Sequence, residues 1–567
     1  MSRISELPKR SWRDRAGPFV ARLSALLRTE AGTQALRLTQ AAILLECPAM
    51  GGIFVNGRVG IGKTLAAVLL AVMLKATRVL VLCPGGIKKE THAHFGKLAK
   101  NWQVPPGVLL ESYSNVSGMP RKGESLQGLF GGLGPQVIIC DEADKLKNVG
   151  PGGSALANQI NDWMVAHPET IFVALTGTCD VEGLLDYGHL LDWCLRDRSP
   201  VPRTRKELED WSEVIDQGDM AKAQWVCQDL GIPTDSTLDE IREAFRERLH
   251  TCPGVIIDDT PFDLVPLTVG VHVLEQPPEL EAHYRKLRLM WQRPDGFDVT
   301  AAGAVDEDRE PDRVQGSTIW TVARRMARGL CYTCDPRPPE RWLLARRAYF
   351  GWVRAQIEAR RFLTEAVARE WAERNNVKAW REWRDVRDDF VPNQKTIWLS
   401  DAALRWCEDW GARGPGVIWT EDVAFAAELS RRTGWVYYGQ GGYSHDGKYI
   451  EDAPRGSVVI ASRRANSTGR NLQFQWNRCL FAAPVNKSRD FEQAVGRFFR
   501  EGVETWADHV HADILLACSE DFGAHTNMIR SARRTNGNIY SQLAARIEWP
   551  KLEQPETGAA YGNIDEV

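Results

Sequence analysis

The chain has 567 residues, 43% of them hydrophobic and 26% charged, with a formal net charge of −3 at pH 7. That length exceeds what a single hydrophobic core serves, so two or three domains are expected, and the composition lies in the ordinary globular range. The near-neutral balance excludes a protein that holds nucleic acid by overall positive charge; any such contact must come from local basic patches.

Residues 1–30 read as a basic, partly helical lead-in. MSRISELPKRSWRDRAG has no apolar core segment and is not a secretory signal. The longest apolar run, Leu65 to Leu74, falls short of the roughly 20 residues a bilayer requires. A soluble, cytoplasmic protein without a membrane partner is expected. The 12 cysteines are scattered through apolar segments, as reduced intracellular thiols would be.

From 31 to 195, short apolar runs (GGIFVNG, RVLVLCP, QVIICDE, TIFVALTG) alternate with helical patterns and glycine-rich turns. This alternation predicts an α/β fold, a parallel sheet covered by helices. Within it, Gly57-Arg-Val-Gly60-Ile-Gly62-Lys63-Thr64 matches GxxxxGK[ST], after an apolar strand and before a helical run. Glycines let successive backbone N–H groups and the helix N-terminus face phosphates. Lys63 is expected to reach the outer phosphates of ATP or GTP, and Thr64 to place its hydroxyl on Mg2+. Asp141 and Glu142 end the strand Val137–Cys140, beside the phosphate site at the carboxyl edge of the sheet. Asp141 is expected to hold Mg2+ and Glu142 to position and deprotonate the attacking water.

Residues 196–414 read as a helical insertion and linker: ELEDWSEVIDQ and TLDEIREAFRERLH are charged helix-period segments without a buried-strand run. A strand and helix follow in VPLTVGVHVLEQPPELEAHYRKL. Residues 293–316 are acidic and turn-rich, the pattern of a mobile loop. Cys331 and Cys334 have zinc-ligand spacing, yet no second pair accompanies them. On the long helical stretch from 339, Arg347, Arg354 and Arg361 recur every seven residues, with Leu343, Phe350 and Ile357 forming a second stripe. The arginine stripe, with Arg324, Arg325, Arg328 and Arg346 nearby, reads equally as a phosphate-contacting face or a solvated helix surface. Tryptophan numbers 21, and Ala403, Trp406 and Trp410 carry the spacing of a buried face, so core packing is expected for most. A second α/β alternation (GVIWTED, WVYYGQG, SVVIASRR, RCLFAAP) occupies 415–545, and 546–567 reads as a tail.

Taken together, these stretches resemble superfamily-two helicases and translocases across nearly the whole chain. The resemblance implies two RecA-like lobes, ATP and Mg2+ as cofactors, and nucleic-acid-dependent hydrolysis. Gln40 in Leu36-Arg-Leu-Thr-Gln40 matches the glutamine that reads adenine. Pro84, Tyr113, Thr176 and Thr178 match first-lobe elements near the nucleic-acid track or coupling to it. In the second lobe, Ser467-Thr468-Gly469-Arg-Asn471-Leu resembles motif five. Gln493-Ala-Val-Gly-Arg497-Phe-Phe-Arg500 matches QxxGRxxR, implying that Arg497 and Arg500 act as arginine fingers when the lobes close.

CDEAD alone suggests a DEAD-box RNA helicase, but Leu175-Thr-Gly-Thr178 stands where that family has Ser-Ala-Thr. CPGGIKKE follows the P-loop, and roughly 220 residues separate the lobes. Lys145-Leu-Lys-Asn148, with Asp144 where histidine is more usual, and the QAxxRxxRxG form favour the Swi/Snf-like branch, of bacteriophage or bacterial type. Cys179 replaces the proline of TGTP, and Trp476-Asn-Arg478 lies nearer motif five than the usual WNP. The expected activity is an ATP-dependent DNA helicase or translocase. The alternatives are an RNA helicase, or a nucleic-acid-binding ATP switch or scaffold without motor turnover.

Overall fold

The computed structural model describes residues 2–57, 60–84, 88–105, 107–113, 116, 126–147, 149, 154–177, 183–258, 265–290, 292–294, 314–359, 365–538, 543–550 and 552. Two compact units divide the chain, Met1–Phe262 with Ile529–Arg546 and Asp263–Met528 with Ile547–Val567. The α/β class expected from the sequence is the one observed. None of the described helices is long and apolar enough to cross a membrane.

The first unit is built on a six-stranded parallel sheet of β1 (Gly52–Gly57), β2 (Val79–Cys83), β3 (Val108–Ser112), β4 (Val137–Asp141), β5 (Ile171–Thr176) and β6 (Val255–Asp258). Their order across the sheet is β3-β2-β4-β5-β1-β6. Helices cover both faces, so β1, β2 and β4 are buried at every position, which is why they read as unbroken apolar runs. β1 ends in the glycine-rich turn, and β5 lies between it and the acidic end of β4.

Strand β6 corrects the reading of the segment from 196 onward as a helical insertion without a buried-strand run. Val255-Ile-Ile-Asp258 pairs with Phe54–Gly57 of β1 and is fully buried. The helical part of this segment, α1 (Arg205–Ile215), α2 (Ala223–Leu230) and α3 (Leu238–Thr251), shares the core of one sheet face through Trp211, Val226, Ile241 and Phe245. Except for buried Arg248, which donates to the Leu7 carbonyl at 2.8 Å, the charges of these helices are partly or fully exposed, and the segment is an integral layer of the first unit.

The N-terminal residues also belong to this unit. Trp12, Ala16, Leu23 and Leu27 share a core with Ala41, Ile43 and Leu44 of the helix Leu38–Met50. Glu46 on that helix is 1% exposed and accepts hydrogen bonds from Arg10, from Arg15 Nη1 at 3.2 Å and from the Gly254 amide at 3.2 Å. The basic character of this stretch therefore answers buried acid within the protein.

The second unit carries a parallel sheet of β7 (Leu267–Val273), β10 (Gly416–Thr420), β11 (Val436–Tyr438), β12 (Val458–Ser462), β13 (Arg478–Phe481) and β14 (Val510–Leu516), ordered β11-β12-β10-β13-β14-β7. β8 (Leu330–Cys334) and β9 (Gln394–Trp398) form a separate antiparallel pair. Between them lie the helices Glu340–Glu358, Glu365–Arg374 and Lys378–Arg384, joined through Trp342, Tyr349, Val353 and Trp380. Leu343, Phe350 and Ile357 pack at the margins of that aromatic core. Arg347 is exposed and Arg354 half-buried, while Arg361 lies outside the described residues.

Arg324, Arg325 and Arg328 do not extend the basic stripe. Arg324 and Arg328 both pair with the fully buried Asp521, and Arg325 pairs with Asp422 at 3.0 Å. Their counter-charges lie far along the chain, and burial with those partners removes the arginines from the surface.

Cys331 and Cys334 sit three apart on β8. A strand alternates faces with period two, so their side chains point to opposite sides. Among the described residues no group of three or more His, Cys, Asp or Glu side chains could hold a metal ion. Trp410, Trp419 and Trp476 are core residues at 1% exposure or less, as expected for most tryptophans, whereas Trp225 and Trp371 are exposed. In the segment expected as a tail, Trp549 packs edge-on against His525 and Phe491. The loop residues 295–313 lie outside the described residues.

Candidate functional site

The turn after β1 is shaped by glycines at φ +100° (Gly60) and +81° (Gly62), a region that L side chains seldom enter. A Cβ on Gly62 would stand 2.1 Å from Gln40 Nε2, so the backbone passes against that amide. Gly62 caps the helix Lys63–Met73, which directs the first N–H groups of that helix into the turn. Arg58 and Val59 lie outside the described residues.

Two residues of the preceding helix segment hold this turn. Gln40 Nε2 donates to the carbonyls of Ile61 at 3.1 Å and Gly62 at 3.4 Å, and its Oε1 accepts from the Arg37 amide. Arg37 Nη1 donates to the Gly60 carbonyl at 2.6 Å. Gln40, expected to read adenine, is thus tied to the glycine turn itself. Arg37 was not singled out in the sequence, because its partner is a backbone carbonyl.

Lys63 is 8% exposed and its Nζ donates to the Gly57 carbonyl at 2.9 Å. Nearby stand Asp141, Glu142 and Asp144, at 8%, 8% and 5% exposure. Burial, and then the charge of Glu142, raise the Asp141 carboxyl to about 7, with Lys63 opposing the shift. Crowded carboxylates in a low-dielectric site favour a cation. The Asp141 carboxylate, with the Thr64 hydroxyl expected from the sequence as a second ligand, would offer oxygen donors alone, which would suit Mg2+, an ion that takes one or two protein ligands and completes its shell with phosphate and water.

Glu142 adopts φ +55°, ψ +52°, a left-handed conformation costing about 1–2 kcal/mol in a residue with a Cβ. The turn it makes carries the chain out of β4 into the short 3-10 helix Ala143–Lys145. Tyr113 is 8% exposed and donates from its hydroxyl to the Asp141 carbonyl at 2.9 Å, so it braces the end of β4. Thr176 at the end of β5 donates to Asp144 Oδ1 at 3.3 Å. The expected coupling residues of β5 and the acidic box are therefore in direct contact. Pro84 directly follows β2; Thr178 and Cys179 lie outside the described residues. Of the Lys145–Asn148 run, Leu146 is buried and Lys147 pairs with Asp186 at 3.2 Å. Asn148 is outside the described residues.

In the second unit, motifs distant in sequence converge. Gly469 takes φ +76°, and Thr468 Oγ1 donates to Gln493 Oε1 at 3.4 Å. Arg497, 4% exposed, donates from Nε to the Gln493 carbonyl at 3.0 Å and from Nη1 to the Arg470 carbonyl at 3.2 Å. Arg500 Nη1 reaches the same carbonyl at 3.3 Å. The Asn471 amide donates to Glu451 Oε1 at 2.6 Å. Arg470, 0% exposed, and Glu451 escaped the sequence reading, since neither residue type signals a role by itself.

No family model matches this chain, and no curated protein matches it. Among solved structures, the helicase domain of Hef from Pyrococcus furiosus is similar at 13% identity and a TM-score of 0.35, over 85% of this chain and 95% of that one.

Proposed function

We propose that this protein is a nucleic-acid-dependent ATPase, acting as a DNA helicase or translocase. The observation that carries the reading is the end of β1. A glycine turn, a buried lysine and the Asp141–Glu142 pair adjoin one another at the carboxyl edge of a parallel sheet, where phosphates bind in such folds.

In this reading Lys63 and the turn amides bind the ATP phosphates, and Thr64 and Asp141 hold Mg2+. Bound there, Mg2+ supplies positive charge to the phosphate oxygens. Glu142 orients water and accepts its proton. Arg497 and Arg500 supply fixed positive charge to the transferred phosphoryl. Thr176 and Asp144 link the end of β5 to the hydrolytic carboxylates. DNA is preferred over RNA because of the departures from the DEAD-box pattern at Leu175–Thr178 and after the P-loop.

ATPase rates with single-stranded DNA, duplex DNA and RNA at matched salt test this, since such affinities depend steeply on ionic strength. Stimulation by DNA is expected. Stimulation by RNA alone would reassign the substrate, and nucleotide binding without turnover on any strand would indicate a switch.

A further inference from the structure

We infer that the loop 440–451 of the second unit is a positioning element for the arginine pair, acting through the Arg470–Asn471 peptide. The catalytic meaning of this inference rests on the ATPase reading above, but its geometry does not.

A peptide unit is planar and trans, so its C=O and N–H point in opposite directions and holding one end aims the other. At this peptide the N–H donates to Glu451 Oε1 at 2.6 Å, and the carbonyl accepts from Arg497 Nη1 and Arg500 Nη1 at 3.2 and 3.3 Å. A carbonyl oxygen has two lone pairs, and two guanidiniums use both. Both arginines of QxxGRxxR therefore share one acceptor atom, whose direction is set by a carboxylate from another loop.

The same loop fixes the Arg470 side chain. Its Nη1 donates to the Tyr449 hydroxyl, and its guanidinium lies over the Tyr449 ring at 4.9 Å from the centroid. Gly442, at φ +80°, passes so near that a Cβ would stand 2.8 Å from Arg470 Nη2. Glu451 is tied in again through its carbonyl, which accepts from Gln475 Nε2 at 2.7 Å. Arg470 is thus gripped at side chain and peptide by one loop, while it presents its carbonyl to the arginines. Glu451, Tyr449 and Arg470 are positioning residues by this geometry.

The test uses the full chain with Glu451→Ala, Glu451→Gln and Tyr449→Phe. One readout is the steady-state ATPase; the other is the rate of phenylglyoxal modification at Arg497 and Arg500 by mass spectrometry, with exposed Arg341 as internal reference. Glu451→Ala is expected to lower kcat about tenfold or more while KM for ATP stays within about twofold. Modification of the pair should accelerate at least about threefold as the guanidiniums lose their shared acceptor. Glu451→Gln keeps an acceptor oxygen and should restore most of both, which a merely structural role would not require. Tyr449→Phe should move both readouts in the same direction as Glu451→Ala. Either readout moving without the other, or neither moving, overturns the inference. If the wild-type chain has no ATPase, the ATPase reading fails and the modification rates alone decide the positioning role.

Discussion

Lys63 is strapped across its own loop to Gly57, its Nζ donating to that carbonyl at 2.9 Å. The ammonium is buried and stands close enough to Asp141 to lower that carboxyl against the effects that raise it. Lys63→Ala removes the strap and a cation that opposes the acidic pair. Nucleotide affinity should fall at least about tenfold and turnover should vanish, read by titration with a fluorescent ATP analogue and by phosphate release. Lys63→Arg should not rescue, because a planar fork does not replace a compact ammonium there. A Lys63→Ala protein with full activity would place the phosphates elsewhere.

Glu142→Gln conserves shape at a backbone position that is already left-handed, and it removes one of the two carboxylates that crowd each other. Nucleotide binding should persist while hydrolysis falls by about 10²–10⁴-fold, the usual contribution of a positioned base. Undiminished hydrolysis would remove Glu142 from that role.

Asp141 makes the nucleotide-free protein pH-sensitive in a direction opposite to most acidic residues. Its carboxyl is raised, first by burial and then by Glu142, so between the ordinary carboxylate range and about 7 the folded state holds a proton that the unfolded chain releases. Stability from this group is fully present below about pH 4 and is lost as pH rises toward 7. Urea unfolding of wild type and Asp141→Asn should therefore diverge with rising pH, the variant gaining relative stability. Saturating Mg2+ and nucleotide should shrink the difference.

Much of this site was legible because the chemistry is written in local patterns. Buried parallel strands are continuous apolar runs, and a glycine turn ending in Gly62-Lys63-Thr64 sits between one such strand and a helix. What escaped depends on partners remote in sequence. Val255–Asp258 is only four residues long and follows a charged helix, so nothing local separates it from a loop; pairing with β1 makes it a strand. Arg324, Arg325 and Arg328 looked like surface charge because Asp422 and Asp521, which bury them, are about 100 to 200 positions away. Arg470 escaped because its decisive atom is a backbone carbonyl, which every residue has.

Asp521 is the centre of that buried network, accepting from Arg324 Nε at 3.0 Å, from Arg328, and from the Ala517 amide at 3.0 Å. Asp521→Ala would leave two guanidiniums buried without their carboxylate, at a cost of about 3–5 kcal/mol. Urea unfolding should show a lower midpoint for the second unit. An unchanged midpoint would mean that Glu421 and the Pro484 carbonyl, which also face Arg324, suffice.

Asp513 on β14 ties the edge strand β7 to the sheet. Its Oδ1 accepts from His272 Nε2 at 2.6 Å and His511 Nε2 at 3.1 Å, and its Oδ2 from Trp410 Nε1 at 2.7 Å. Gly270 allows this approach, since a Cβ there would stand 2.5 Å from Asp513 Oδ1. Burial raises the Asp513 carboxyl, but the hydrogen bonds from His272, His511 and Trp410 together outweigh it and hold the group well below the usual carboxylate range. A depressed folded value contributes stability above the unfolded value of about 3.9, and that contribution is lost as pH falls through the folded value. Asp513→Asn should cost about 1.5–3 kcal/mol at pH 7, the scale of hydrogen bonds to a charged group. The gap to wild type should narrow below about pH 4, where the unfolded wild-type chain begins to take up the proton that the folded carboxylate still refuses. A gap that stays constant from pH 7 to pH 3 would mean that shape, and not charge, fastens β7 to β14.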